Sequence, residues 1–255
     1  MVEQPTTDEG QLTTNRRQTK GTKRRGLFIT LEGIDGAGKS TQLLRLAAYL
    51  RRCGCRICVT REPGGTPIGE QMRRVLLASR NTQLAPLAEL ALIYAARAQH
   101  LKEVVRPALA RGEVVLSDRF NDASFAYQGY GRTIGTPAVR AFDQIICGST
   151  QTDVTLLLDV APQVALQRAT TRETRNRSRR SRFEIAGLEF LERVRNGYLA
   201  IARREPHRVK VVDANRPIEE VQRDIRRLVD RFLENSGAKK KKDERPGSKA
   251  KLRNT

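Results

Sequence analysis

Five short runs of mostly consecutive apolar residues punctuate the chain: LFITLE (27–32), RICVT (56–60), EVVLS (113–117), VTLLLD (154–159) and VKVVD (209–213). They are rich in β-branched residues and do not alternate with polar ones, which is the pattern of strands buried on both faces. Between them, apolar residues recur at helical spacing over 38–52, 66–79, 84–110, 137–146, 162–172, 187–204 and 217–234. Pro162 and Pro217 suit the first turns of two of these helices. Strand–helix alternation of this kind predicts an α/β fold, a five-stranded parallel sheet with helices on both faces, over 26–236. Residues 1–25 and 237–255 are polar, basic and aperiodic, and read as disordered tails.

In such a sheet, ligands bind beyond the carboxyl ends of the strands. The first strand is followed by GIDGAGKST, Gly33 to Thr41, in which Gly33-x4-Gly38-Lys39-Ser40 completes the phosphate-binding loop pattern between a strand and a helix. Its backbone N–H groups can turn inward around phosphate oxygens, so Gly33, Ile34, Asp35, Gly36, Ala37, Gly38, Lys39, Ser40 and Thr41 form the expected ATP cradle. Lys39 is expected to reach the β- and γ-phosphates and the Ser40 hydroxyl to ligand Mg²⁺. Asp35 is repelled by triphosphate unless it meets a metal, a base or a sugar hydroxyl, which makes it a candidate contact to a second substrate.

The second strand leads into TREPGGTPIGE (60–70), a sharp turn carrying Arg61 and Glu62 toward the crevice. The third leads into SDRFNDASFAYQGYGR (117–132), where Asp118 suits a metal-positioning carboxylate and Arg119 a phosphate clamp. The aromatics Phe120, Phe125, Tyr127 and Tyr130 crowd this segment, although only 5% of the chain is aromatic. Aromatics beside an Asp-Arg pair suit a planar base bearing a phosphate. Beyond the fourth strand and its helix comes TRETRNRSRRSRFE (171–184), and VVDANRP (211–217) after the fifth could cover a purine ring.

Composition sharpens this picture in three ways. The formal charge is +20, of which the first 25 residues supply +3 and residues 238–255 supply +6, so the folded part is itself basic. That fits a polyanionic partner, either a phosphorylated small molecule or nucleic acid. Cys53, Cys55, Cys58 and Cys147 lack the two separated pairs of a zinc site and read as reduced thiols. The absence of a long apolar run and of an N-terminal apolar segment predicts no membrane span and a cytoplasmic location.

Taken together, FITLEGIDGAGKST, VTREPGGTPIGE, ARAQH, RPALARGEVVLSDRFNDASFAYQGYGR and VDANRP resemble the bacterial thymidylate kinases in order and spacing over about 26–235. The resemblance implies the P-loop nucleoside-monophosphate-kinase fold with an arginine-rich lid at about 172–186. It also implies Mg²⁺-dependent phosphorylation of dTMP to dTDP by ATP for dTTP synthesis, usually by a homodimer. On that reading Arg119 holds the dTMP phosphate beside Asp118, and Arg61 is a second contact near it. Arg97 reaches thymine, Ser124 faces its Watson–Crick edge, Tyr127 lies against the sugar, Asp35 meets the deoxyribose, and Gln128 is a further dTMP contact. Ser40, Asp118 and Glu184 are the implied metal ligands. Arg168 and Arg172 approach ATP, and the catalytic arginine belongs to the lid, with Arg180 and Arg182 the candidates beside Lys39, Asp35 and Arg119. Two positions depart from the family pattern. Ile93 stands where a phenylalanine usually stacks on thymine, and Ser181 stands where the lid usually has an aspartate. The nearest rival reading is another kinase of the same architecture, phosphorylating dUMP or a nucleoside. A rival from a different class is a nucleic-acid-binding protein using the basic tails and the arginine tract; short of that, the tails could add weak nonspecific affinity for nucleic acid.

Overall fold

The computed structural model describes residues 25–78, 80–81, 83–176, 183 and 186–236. Five parallel strands run β1 (Phe28–Glu32), β2 (Ile57–Arg61), β3 (Val114–Asp118), β4 (Val154–Asp159) and β5 (Val209–Asp213), in the spatial order β2-β3-β1-β4-β5. The three central strands are buried almost throughout, whereas the edge strands β2 and β5 expose Val59, Arg61, Val211 and Asp213. Strands β2 and β3 each begin and end one residue later than the apolar pattern predicts, which makes Arg61 and Asp118 the last residues of their strands.

Successive residues of the central strands feed opposite faces. Ile29, Leu31 and Leu116 pack on one face with α1 (Lys39–Arg52) and α9 (Ile218–Ser236), while α8 (Leu188–Arg204) lies on the face of Glu32 and Asp159, which its Tyr198 and Arg195 reach. Phe28 and Val115 pack on the other with α3 (Pro86–His100) and α6 (Thr136–Ile146). The expected helix over 84–110 is interrupted after α3 by a π-helical turn, Leu101–Val105, before α4 (Arg106–Ala110). Pro107 explains the interruption, since it has no N–H to donate to the preceding turn.

Two further differences bear on the site. Residues 121–131, read from the sequence only as a chemistry-bearing segment, are helical: α5 (Asn121–Ser124) followed by a π-helical turn, Phe125–Gly131. Two glycines and three aromatics hide helical periodicity there, and such turns gather at functional sites. The helix expected to stop at 172 continues as α7 (Pro162–Asn176), so the first residues of the expected lid are helical. The remaining helix, α2 (Pro67–Leu77), starts at a Thr66 cap whose hydroxyl accepts from the Gly69 N–H at 3.0 Å.

Candidate active site

The central strand β1 delivers the phosphate-binding loop between the carboxyl ends of β3 and β4. Gly36, with φ 89°, lies so close to α7 that a Cβ there would meet the Ala165 carbonyl oxygen at 2.2 Å. Gly38, also at φ 89°, would meet nothing within 4 Å, so the loop backbone is open on the side where a phosphate belongs. Helix α1 starts there with no side-chain cap and no acidic residue in its first turn, which leaves its N–H groups and positive dipole end unopposed.

Lys39 is only 6% exposed, and its Nζ donates to the Ile34 carbonyl at 3.0 Å while lying 3.9 Å from Asp35. Burial, seconded by the Arg119 charge, pushes its ammonium down to about 8 against the pull of Asp118, Asp35 and Glu32. An anion beside this ammonium would raise it again by pairing its charge. Ser40 Oγ donates to Asp118 Oδ2 at 2.8 Å, so the loop hydroxyl and the β3 carboxylate share one point of the cleft.

Arg119 adopts φ 75°, in the left-handed region, and its guanidinium lies over the Tyr127 ring at 4.7 Å. Nη1 donates to the Gly33 carbonyl at 2.8 Å and to Tyr198 Oη at 2.9 Å, and Nη2 to Asp35 Oδ1 at 2.8 Å and Tyr127 Oη at 2.9 Å. Below it Glu32 is wholly buried, accepting from the Phe120 N–H at 2.7 Å and from Tyr198 Oη at 2.6 Å. Burial raises the Glu32 carboxyl to about 7, although Arg119 opposes the shift.

Arg97 is 1% exposed, sandwiched between the Tyr94 and Phe120 rings at 4.4 and 5.2 Å. Nε donates to Glu62 Oε2 at 2.7 Å, and Nη2 to the Phe120 carbonyl and Ser124 Oγ at 3.0 Å each. Nη1 is buried with no partner among the described residues, although Arg97 lines the cleft. Gln128 Nε2 donates to the buried Glu89 at 2.7 Å.

A cleft of ≈ 650 Å³ brings together Asp35, Gly36, Gly38, Lys39, Ser40, Thr41, Arg61, Arg97, Asp118, Arg119, Ser124, Tyr127, Gln128 and Arg168, with Ile93 also on its wall. A second cleft, ≈ 570 Å³, shares Gly36, Gly38, Thr41 and Arg168 with the first and extends past Ala37 to the 214–219 loop and Val221. Gly33 and Ile34 line neither; their carbonyls brace Arg119 and Lys39 from behind. Arg61 is half exposed and paired with Glu70 at 2.9 Å. The Arg172 backbone belongs to α7, while its side chain and Arg180, Ser181, Arg182 and Glu184 lie outside the described residues.

Sequence reasoning missed Glu32, Arg73, His100 and Tyr198 and gave Glu62 no role. Arg73 lines the cleft and donates to the Pro63 carbonyl at 2.8 Å. Phe183 is buried edge-on to Tyr127 at 5.5 Å, which anchors the far end of the expected lid on the cleft wall.

The family model described as thymidylate kinase matches residues 31–225, most of the chain. The chain belongs to the thymidylate kinase family. It is 50% identical to a thymidylate kinase of Pseudomonas putida (strain W619) over 82% of this chain and 98% of that one. A thymidylate kinase of Trichlorobacter lovleyi is likewise 50% identical, over 74% of this chain and 89% of the relative. The crystal structure of thymidylate kinase from Ehrlichia chaffeensis superposes with a TM-score of 0.64 at 31% identity, covering 81% of this chain and 99% of that one. Membership in the thymidylate kinase family makes this a nucleotide-binding transferase built on the P-loop α/β fold. Among the described residues, no helix is long and apolar enough to cross a membrane.

Proposed function

We infer that this chain transfers the γ-phosphoryl group of ATP to dTMP, giving ADP and dTDP for dTTP synthesis. The carrying observation is that two clefts meet at one phosphate-binding loop, a donor cleft toward 214–221 and an acceptor cleft toward Arg97 and Gln128. Phosphoryl transfer asks little covalent chemistry of the protein; alignment and charge neutralisation carry the rate. Lys39 meets the growing charge on the transferring group. Arg119, braced at its base by Gly33 and Tyr198, presents its charge to the dTMP phosphate, with Arg61 as a second contact. Arg97 offers its unpartnered Nη1 to the base, Ser124 and Gln128 border it, Tyr127 packs on the sugar, and Asp35 takes the deoxyribose hydroxyl. Arg168 borders both clefts and serves ATP, with Arg172 as its neighbour on α7.

The residues fit Mg²⁺. Ser40 and Asp118 offer hard oxygen donors 2.8 Å apart beside the loop, and Glu184 is the proposed third ligand. When bound, the ion neutralises charge on the donor phosphates. The lid supplies the catalytic arginine, with Arg180 and Arg182 as candidates, and its closure excludes water that would otherwise hydrolyse ATP. Because Arg177, Arg179 and Arg180 are near-equivalent in sequence, single alanine variants should keep kcat within about threefold. The triple variant should lose about 10²-fold or more, a split that steady-state turnover reads directly.

The working unit is residues 26–236. It acts in the cytoplasm as a homodimer; the exposed Ile68, Val75 and Leu87 on the packed helices α2 and α3 support a covered apolar face there. The tails, 1–25 and 237–255, add weak, salt-sensitive affinity for nucleic acid.

The test of the activity is coupled ADP release across dTMP, dUMP, dCMP and UMP. The highest kcat/KM should fall on dTMP, and preference for any other acceptor would displace this reading. The depressed Lys39 ammonium adds a pH signature. Free enzyme loses this proton above about 8, whereas bound triphosphate holds it. Bound enzyme therefore carries more protons than free enzyme above that pH, and ATP affinity must fall as pH rises, by up to about tenfold per unit. Calorimetry in two buffers of different ionisation enthalpy should show proton uptake on ATP binding at alkaline pH and none near pH 7.

A further inference from the structure

The histidine that closes ARAQH has no part in the mechanism above, yet it is wholly buried and hydrogen-bonded at both ring nitrogens. Its Nε2 meets Thr60 Oγ1 at 2.6 Å and its Nδ1 meets Glu62 Oε1 at 2.8 Å. The other oxygen of Glu62 takes the Arg97 Nε–H at 2.7 Å. The result is one continuous relay from β2 through an imidazole and a carboxylate to the guanidinium in the acceptor cleft. The turn after Glu62 is shaped around it: at Gly65, φ 80°, a Cβ would meet the His100 ring and Thr60 Oγ1 at 2.7 Å each.

A relay of this kind is an expensive way to fill a core, since well-packed apolar residues of the same volume fold as well or better. What distinguishes it is its terminus. Arg97 spends Nε on Glu62 and Nη2 on Phe120 and Ser124, and among the described residues nothing pairs with its buried Nη1. Burial opposes ionisation of Glu62, but Arg97 and His100 outweigh it and hold the carboxyl below its usual range. A carboxylate accepting at both oxygens cannot swivel, and so the Arg97 fork is fixed before any substrate arrives.

We propose that His100 is a positioning residue for the acceptor nucleotide: it fixes Glu62, and Glu62 aims Arg97 at the base. The proposal rests on the reading that Arg97 contacts dTMP. Donor binding is untouched, because none of the four relay residues lines the ATP cleft.

Two isosteric substitutions separate aiming from filling. In His100→Asn the amide nitrogen replaces Nδ1 and keeps the bond to Glu62; in His100→Gln it replaces Nε2 and keeps only the bond to Thr60. Binding of dTMP and of ATP is measured separately by calorimetry on the full chain, with melting recorded for each variant. His100→Gln should weaken dTMP about tenfold or more, the scale of one hydrogen bond to a charged group. His100→Asn should stay within about threefold and ATP binding within about twofold for both. In an Arg97→Met background, His100→Gln should add nothing further. Equal effects of the two variants, a parallel loss of ATP binding, or full additivity with Arg97→Met would overturn the proposal. If Arg97→Met alone leaves dTMP binding unchanged, it is the underlying assignment of Arg97 that fails. Should the His100 variants not fold, Thr60→Val and Thr60→Ser decide: valine must weaken dTMP and serine must not, and no effect of valine refutes the relay.

Discussion

Alanine at position 39 should lower kcat by about 10²–10³-fold or more while leaving the fold intact. Lys39 Nζ is held by the Ile34 carbonyl at 3.0 Å inside a loop whose backbone is open at Gly38. Arg119 also bonds the loop, but its fork is committed to Gly33, Asp35, Tyr127 and Tyr198, so it cannot take over the γ-phosphoryl charge. Arginine should not rescue, because a planar fork does not fit a pocket that leaves the lysine 6% exposed. The melting temperature separates this loss from unfolding. An ammonium whose pKa is pushed from 10.5 to about 8 costs stability at neutral pH, because the unfolded chain holds that proton more tightly. Removing the charge lifts the cost, and Tm should hold or rise. A near-normal rate would refute the phosphate-loop assignment.

The second large effect is expected at Arg119, where methionine should damage both affinity and stability. Its guanidinium satisfies Asp35, Tyr127, Tyr198 and the Gly33 carbonyl, and lies 3.9 Å from the buried Glu32. Removing it leaves a buried carboxylate without its counter-charge, a change that costs about 3–5 kcal/mol in comparable sites. The pH dependence gives the loss a signature. Glu32 already sits at about 7 against an ordinary 4.5, so the folded state binds the extra proton and stability falls as pH rises across that window. Without Arg119 the window moves higher, and the variant should lose stability between about pH 6 and 8 more steeply than the parent. Adding Glu32→Gln should restore Tm but not dTMP binding. Restored binding in the double variant would show that Arg119 serves the fold alone.

How much of this was legible in the chain depended on distance along it. The strands, the phosphate loop and the helix behind it were readable because their signals are local: β-branched runs, glycines at fixed spacing, a lysine at the helix start. Asp118 and Arg119 followed from the rule that ligands gather beyond the carboxyl ends of parallel strands. Glu32 was hidden because it reads as the polar last residue of a strand, and only burial under Arg119 and Tyr198 reveals it. Tyr198 lies 166 residues from Glu32 and carries no motif. Glu62 and His100, 38 apart, look like surface charges of a turn and a helix until packing of α3 on β2 joins them. Residues 121–131 escaped because aromatics and glycines mask a helical period.

The central claim is phosphoryl transfer between two nucleotides meeting at one loop. The most direct test is to incubate the full chain with γ-labelled ATP, Mg²⁺ and dTMP and to follow where the label goes. The account predicts label in dTDP, matched one for one by ADP and dependent on dTMP, with little free phosphate. Label released as inorganic phosphate at the same rate with or without dTMP would contradict it.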